Sequence, residues 1–153
     1  MKTQELLKYF NEDLFILDLK SSNKEELLDE FIERFVEKGY LKKTDIVLEM
    51  LNQREKLGST GIGKGVAIPH GRTTSASDVM IAFGRSADGI DYDAIDNKPV
   101  HIVFMIIAPP QDENNMYLPI LGKIVEVLSK SKNRKTLLSL ESFIEFIDFL
   151  SEE

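Results

Sequence analysis

The chain of 153 residues contains no cysteine, which excludes disulfide scaffolds, thiol catalysis, and zinc or iron–sulfur sites built on thiolates. Histidine is scarce, at two. A three-histidine zinc site therefore cannot be assembled, and neither His70 nor His101 has the i, i+4 partner of H-E-x-x-H, so no metal is expected. Positive charge is also short: 19 basic residues stand against 26 acidic ones, for a net −7, with no basic run longer than two. That leaves no electrostatic footprint for a phosphate backbone, and nucleic acid is not an expected partner. Long apolar runs are missing too. The longest, Ile102 to Ala108, has seven residues, far below the ~20 that span a bilayer. Met1 to Phe10 carries no apolar core before a small-residue cleavage site. Neither export nor membrane insertion is expected, and a cytosolic location fits.

What is present is ordinary globular composition, 42% hydrophobic and 29% charged, which argues against global disorder. At roughly 100 to 200 residues per domain, the length predicts one domain over 1–153. After an amphipathic lead (Leu6, Leu7, Phe10), Leu14 to Leu19 predicts a buried strand that turns at Ser21-Ser22-Asn23. Asn23 starts a helix running to Gly39, with Glu26 reaching back in a capping box and Leu27, Leu28, Phe31, Ile32, Phe35 and Val36 facing inward. A second helix is predicted from a Thr44 cap to about Lys56, with Val47, Met50 and Leu51 inward and Arg54 on or beside that face. Gly58 to Gly65 predicts a loop, and Val66 to Ile68 a short buried strand ended by Pro69-His70-Gly71. Further strands are predicted at Val79 to Phe83 and Val100 to Ala108, with a polar connection or short hairpin over Asp88 to Pro99. In the last third, Leu118, Leu121, Val125 and Leu128 predict the inner face of a helix that starts near Asn114 or Asn115 and holds Pro119 in its first turn. Ser142 opens a final helix through a second capping box to Glu145, with Phe143, Phe146, Ile147 and Leu150 on one face. Strands apolar on both sides, interleaved with helices, predict an α/β sheet covered on both faces.

Two constellations could carry chemistry. Gly58 to Gly65 matches the G-x-x-x-x-G-K part of a P-loop, but Gly65 offers no hydroxyl for Mg²⁺, the preceding element reads as a helix, and Val66 to Pro69 cannot begin the helix that must follow. The other is His70. His101 lies inside an apolar strand and reads as a half-buried core residue. His70 instead stands between Pro69 and Gly71 at a strand end, with open access. No nucleophile elbow accompanies it, so a Ser-His-Asp triad is absent. What remains is histidine as the nucleophile itself. A neutral imidazole whose tautomer is fixed by a hydrogen bond can take a phosphoryl group reversibly if donors stabilise the oxygens. Arg54 and the amides of the glycine loop are the donors at hand.

The run Arg54-Glu55-Lys56-Leu57-Gly58-Ser59-Thr60-Gly61-Ile62-Gly63-Lys64-Gly65-Val66-Ala67-Ile68-Pro69-His70-Gly71 resembles the active-site signature of the enzyme IIA components of the bacterial phosphoenolpyruvate phosphotransferase system, fructose and mannitol class. The resemblance continues through Asp93-Ala94-Ile95-Asp96-Asn97-Lys98-Pro99-Val100 into the C-terminal helices and is greatest to the nitrogen-regulatory branch. It implies that His70 is phosphorylated on its tele nitrogen and that Arg54 contacts the phosphoryl group, with Ser59, Thr60, Gly71 and Tyr117 in support. One departure stands out. Where many members carry a second histidine before the helix, this chain reads Met116-Tyr117-Leu118, so Tyr117 replaces it with a hydroxyl that cannot become cationic near neutral pH.

The expected fold is a three-layer α/β/α sandwich with a central mixed β-sheet. The expected activity is phosphoryl carriage without metal or organic cofactor. A histidine-containing phosphocarrier protein is implied as donor, and a IIB component or a regulatory target as acceptor. The rival is a purely regulatory protein whose complexes change when ~1.5 to 2 negative charges arrive at His70.

Overall fold

The apolar run Val100–Ala108 becomes the middle strand of the sheet. A computed structural model of the chain describes residues 1–42, 45–112 and 114–153. In chain order a 3-10 helix, Thr3–Tyr9, is followed by β1 (Phe10–Ile16), α1 (Lys24–Glu37), α2 (Asp45–Lys56), β2 (Gly61–Gly63), β3 (Val66–Ala67), β4 (His70–Arg72), β5 (Met80–Ile90), β6 (Val100–Ala108), α3 (Tyr117–Ser129), α4 (Ser131–Ser139) and α5 (Phe143–Glu152). The sheet order is β1-β5-β6-β3-β2, with β4 also lying against β6. It is mixed: β5 and β6 are antiparallel, as are β2 and β3, while β1 runs parallel to β5 and both β3 and β4 run parallel to β6.

Alternation along the strands supplies both faces. Val103, Met105 and Ile107 pack with Ala67 and Ala82 beneath α1 and α2, against Leu27, Phe31, Phe35, Val47 and Leu51. Ile102, Phe104 and Ile106 pack on the other side with Phe83 against Leu6, Ile120, Ile124, Leu137 and Phe146. Each large side chain so buried contributes about 1.5–3 kcal/mol. The three-layer α/β/α arrangement is therefore the expected one. Among the described residues no helix is long and apolar enough to cross a membrane.

Several element limits differ from the sequence reading. The first strand is Phe10–Ile16, not Leu14 to Leu19, because Phe10 already registers with Ile81 while a bulge before Phe15 turns Asn11, Glu12 and Asp13 to solvent and hides the strand in polar sequence. Both capping boxes close one residue early. Asn23 and Ser142 each accept the expected backbone N–H, from Glu26 at 2.9 Å and Glu145 at 3.2 Å. The returning carboxylates, however, take the N–H groups of Ser22 (2.9 Å) and Glu141 (2.9 Å), the residues before the caps. The Thr44 cap lies outside the described residues.

Gly58 to Gly65 is not loop throughout. Gly61–Gly63 and Val66–Ala67 pair as a hairpin whose two-residue turn, Lys64-Gly65, has φ of 59° and 79°, the left-handed pair such turns require. Pro69 does not end the pairing on β6 either, since β4 resumes it at His70 against Ile106. The strand expected at Val79 to Phe83 continues as far as Ile90. Arg85 still pairs with Ile102, and turn-forming residues such as Gly84, Asp88 and Gly89 masked the extension.

The C-terminal helices hold the largest correction. α3 starts at Tyr117, not at Asn114 or Asn115, and buries Tyr117, Ile120, Ile124, Val127 and Leu128. Leu118 and Val125, expected inside, are 66% and 41% exposed. Two adjacent apolar stripes run along this helix, and periodicity alone cannot choose between them. Asp112 makes the choice by accepting the N–H groups of Met116 and Tyr117, the latter at 3.0 Å. Pro119 sits in the first turn, where its N–H would have had no intrahelical partner. α4 is not predicted by the sequence, which shows no apolar stripe there. It is held where Asn133 Nδ2 and Arg134 donate to Val127 and Leu128 carbonyls at 2.8 and 2.9 Å.

The α1 layer presses close on the sheet at Gly84, where an added Cβ would stand 2.5 Å from Phe31 Cζ and 2.8 Å from Leu19 Cδ1. Gly84→Ala is expected to lower unfolding stability by about 1–3 kcal/mol through overpacking, read from the urea midpoint at unchanged slope; an unchanged midpoint would contradict this packing.

Candidate functional site

The short β4 strand pairs only with β6 among the described residues, and its other edge opens on a groove of about 440 Å³ between α2 and α3. Met50, Gln53, Arg54 and Leu57 form one wall, Tyr117, Leu118 and Leu121 the other, and His70, Gly71 and Arg72 the floor. Gly71 is required there: a Cβ would fall 1.9 Å from Met50 Sδ, so the lack of a side chain lets α2 lie directly over the strand.

His70 is half-buried. Its Nδ1 lies 2.6 Å from the Ile68 carbonyl. A carbonyl oxygen only accepts, so Nδ1 carries the proton and Nε2 keeps a free lone pair. Burial pushes the imidazole below its ordinary value and the Arg54 guanidinium adds to that, while the Ile68 bond and the Glu55 carboxylate pull upward without prevailing. The ring is neutral at pH 7, with an unprotonated nitrogen in a groove whose walls are mostly apolar.

Arg54 ends α2, and its guanidinium donates to the Gly58 carbonyl at 2.9 Å. It thus closes the turn after its own helix and lines the groove from one side. Tyr117, in the first turn of α3, has its ring centroid 6.2 Å from that of His70. Burial raises its hydroxyl above the ordinary tyrosine value, against the pull of Arg72 and Arg54, and the group is neutral.

Of the six residues singled out in the sequence, His70, Arg54, Gly71 and Tyr117 meet in this groove and Ser59 and Thr60 do not line it. Ser59 Oγ accepts the Gly61 N–H at 3.1 Å, bracing the start of the hairpin. Thr60 is buried, its hydroxyl donating to Glu55 and lying 2.9 Å from Tyr92 Oη. His101 sits at the other end of β6, with Nδ1 2.8 Å from the Ser86 carbonyl. Sequence reading counts Arg72 as the last position of the signature neighbourhood but gives it no role; its guanidinium carbon stands 4.5 Å from the Tyr117 ring centroid. The signal was available: once β4 is recognised as a strand, i and i+2 share a face, which puts Arg72 beside His70.

A mixed sheet covered on both faces, with a neutral histidine at a strand edge in one groove with a helix-end arginine, defines an α/β domain with a histidine-centred groove. The family model for the phosphoenolpyruvate-dependent sugar phosphotransferase system, EIIA 2, matches residues 8–153, and the chain belongs to this family of phosphoryl carriers. It is 39% identical over 152 residues to the fructose-specific EIIABC component of Bacillus subtilis (strain 168), covering 99% of this chain and 23% of that protein. The chain thus spans under a quarter of that relative's length. The crystal structure of nitrogen regulatory protein IIA-Ntr from Neisseria meningitidis superposes with a TM-score of 0.84 at 32% identity, covering 94% of this chain and 97% of that one. A complex of enzyme IIAMTL with phosphorylated enzyme IIBMTL from Escherichia coli shares the fold, at a TM-score of 0.76 and 21% identity over 94% of this chain and 99% of that one.

A cation beside an imidazole disfavours its protonated form. The His70 titration midpoint is therefore expected below the ordinary ~6.5, and Arg54→Gln should raise it. Ring ¹⁵N chemical shifts followed against pH read both. A midpoint above the ordinary value in the wild type, or one that falls in Arg54→Gln, would contradict this balance of burial and charge.

Proposed function

We propose that the phosphoryl acceptor of this chain is Nε2 of His70. The observation that carries the reading is the bond from Nδ1 to the Ile68 carbonyl, which leaves Nε2 as the free nucleophile in the groove. The Nε2 lone pair attacks the phosphorus of a phosphohistidine on a small carrier protein. The P–Nε2 bond forms as the donor's P–N bond breaks, and the donor imidazole leaves with that electron pair. Positive charge developing on the His70 ring is stabilised through Nδ1–H by the Ile68 carbonyl. Arg54 faces the transferring oxygens. Because such transfer passes through a loose transition state, positioning and charge stabilisation suffice, and neither metal nor organic cofactor takes part.

On this reading residues 1–153 act as a single enzyme IIA type 2 unit in the cytoplasm. The donor is a histidine-containing phosphocarrier protein and the acceptor is a cysteine of a IIB component. The E. coli complex of a IIA with a phosphorylated IIB supports that class of acceptor. Ser59 and Thr60 serve indirectly, by fixing the turn that Arg54 closes. A second reading, regulation by phosphorylation-dependent protein binding, is supported by the near full-length likeness to IIA-Ntr. Leu57 and Leu118, 85% and 66% exposed at the groove rim, would lie against any partner at the site where the charge changes. Discharge of the phosphorylated chain by a fructose-type IIB separates the two: rapid loss of label supports transport, and a persistent label supports regulation.

Incubation with phosphoenolpyruvate and the general phosphotransferase proteins is expected to label the wild type and His101→Ala but not His70→Ala. Full labelling of His70→Ala would sink the proposal. Arg54→Ala should slow labelling about 100-fold or more, the usual cost of losing a transition-state donor, with only partial recovery in Arg54→Lys because the planar fork is lost.

A further inference from the structure

Arg72 is a second cation in the groove, on the floor where Arg54 is on the wall. It follows His70 by two residues in β4, so both side chains leave the same face of the strand, with Gly71 turned the other way toward Met50. Its Nη1 donates to the Pro109 and Pro110 carbonyls at 3.2 and 3.3 Å. Among the described residues no carboxylate pairs with it. Its remaining donors are therefore available to an anion, and a guanidinium presents five in a planar fork. What holds it in place is the Tyr117 ring, 4.5 Å from the guanidinium carbon and 6.2 Å, centroid to centroid, from the His70 ring. Tyr117 itself is fixed, at 7% exposure in the first turn of α3.

The charge to be held is about −1.5 to −2 on a phosphoryl group near neutral pH, while Arg54 brings one positive charge and has already committed a donor to Gly58. Resting on the His70 reading, we propose that Arg72 is a second catalytic residue that binds the oxygens of the phosphoryl group on His70, and that the face of the Tyr117 ring, not its hydroxyl, positions it. A stacked arginine is suited to this. The cation–π contact fixes the plane of the fork without consuming its N–H donors. The bonds to the proline carbonyls, which belong to the chain leaving β6, hold the guanidinium from its far side.

The test uses phosphoramidate as donor, so that no protein docking enters: its P–N bond breaks, ammonia leaves and P–Nε2 forms. The rate is followed by ³¹P NMR of phospho-His70. Arg72→Ala is expected to slow labelling about 10- to 100-fold, less than a fully buried donor because the side chain is partly solvated, and Arg72→Lys to recover part of it. Tyr117→Phe, which keeps the ring face under the guanidinium, should lose much less rate than Tyr117→Leu, which should fall toward Arg72→Ala. The double variant Arg72→Ala/Tyr117→Leu should be no slower than Arg72→Ala alone, as expected when one residue acts through the other. The ³¹P titration of the phosphorylated protein should also move to higher pH in Arg72→Ala, since a cation that stabilises the dianion has gone; a purely structural role would not move it. A wild-type rate in Arg72→Ala with His70 labelled overturns the inference. So does a Tyr117→Phe rate as low as that of Tyr117→Leu, which would assign the effect to the hydroxyl. Labelling of His70→Ala at the wild-type level would instead overturn the His70 reading itself.

Discussion

A buried carboxylate organises the groove. Glu55 is 9% exposed, and a charge so placed is tolerated only with partners, since each unsatisfied buried polar group costs about 1–3 kcal/mol. Its partners come from separate parts of the chain. Lys24 Nζ, at the start of α1, lies 3.1 Å from Oε1, and Thr60, entering the hairpin, gives both its N–H (3.1 Å) and its hydroxyl. The Thr60 oxygen then meets Tyr92 Oη, whose ring lies 4.8 Å beneath Lys24 Nζ. The end of α2 is thereby tied to the start of α1, the hairpin and the segment before β6. Arg54 is the residue next to Glu55, so its place at the groove wall is set largely by bonds that its neighbour makes on the other side of the helix.

The same division between buried support and open chemistry recurs at β4. Gly71 gives up its side chain so that Met50 can come down on the strand, and His70 is left between an apolar helix face and Tyr117. Partial desolvation there works against the protonated imidazole, as does Arg54. On the proposed reading, a nucleophile that must be neutral is therefore kept neutral by its surroundings, and the Ile68 carbonyl determines which nitrogen is free. Neither effect needs an acidic partner on the ring. An aspartate bonded to Nδ1 would raise the basicity of the ring and draw a proton to Nε2 at mildly acidic pH, where a carbonyl does so more weakly.

Much of this was legible in sequence, for identifiable reasons. The α1 face from Leu27 to Phe35 and the β6 run follow single periodicities and appear as expected. Asn23 and Ser142 mark helix starts correctly, because a side-chain acceptor at the cap is a local matter. What failed was non-local. β5 keeps pairing through Gly84 and Arg85 because β6 is there to receive it, and β1 begins in polar sequence because β5 lies alongside. The face of α3 is decided by Asp112, five residues before Tyr117, acting on a helix with two apolar stripes. At the site, Gly71 and Tyr117 were legible beside His70 and Arg54, while the positions of Thr60 and Arg72 depend on pairings that no local pattern records: a hydroxyl turned inward to Glu55, and a strand resumed after a proline.

A carrier differs from a hydrolase in having to release what it binds. Stabilising the phosphorylated state as strongly as the transition state would trap the group, because uniform binding lowers no barrier between the two. The groove fits that requirement on the proposed reading. Its lining from α2 and α3 is largely apolar, and its two arginines already hold backbone carbonyls at Gly58, Pro109 and Pro110. Each guanidinium then offers the phosphoryl group only the donors that its backbone bonds leave over, which limits how deeply the bound state can fall. Against a net −7 over the chain, Arg54 and Arg72 bring positive charge to this edge of the sheet, in the same groove as a neutral imidazole. Such a site can accept a phosphoryl group and still release it to a second nucleophile.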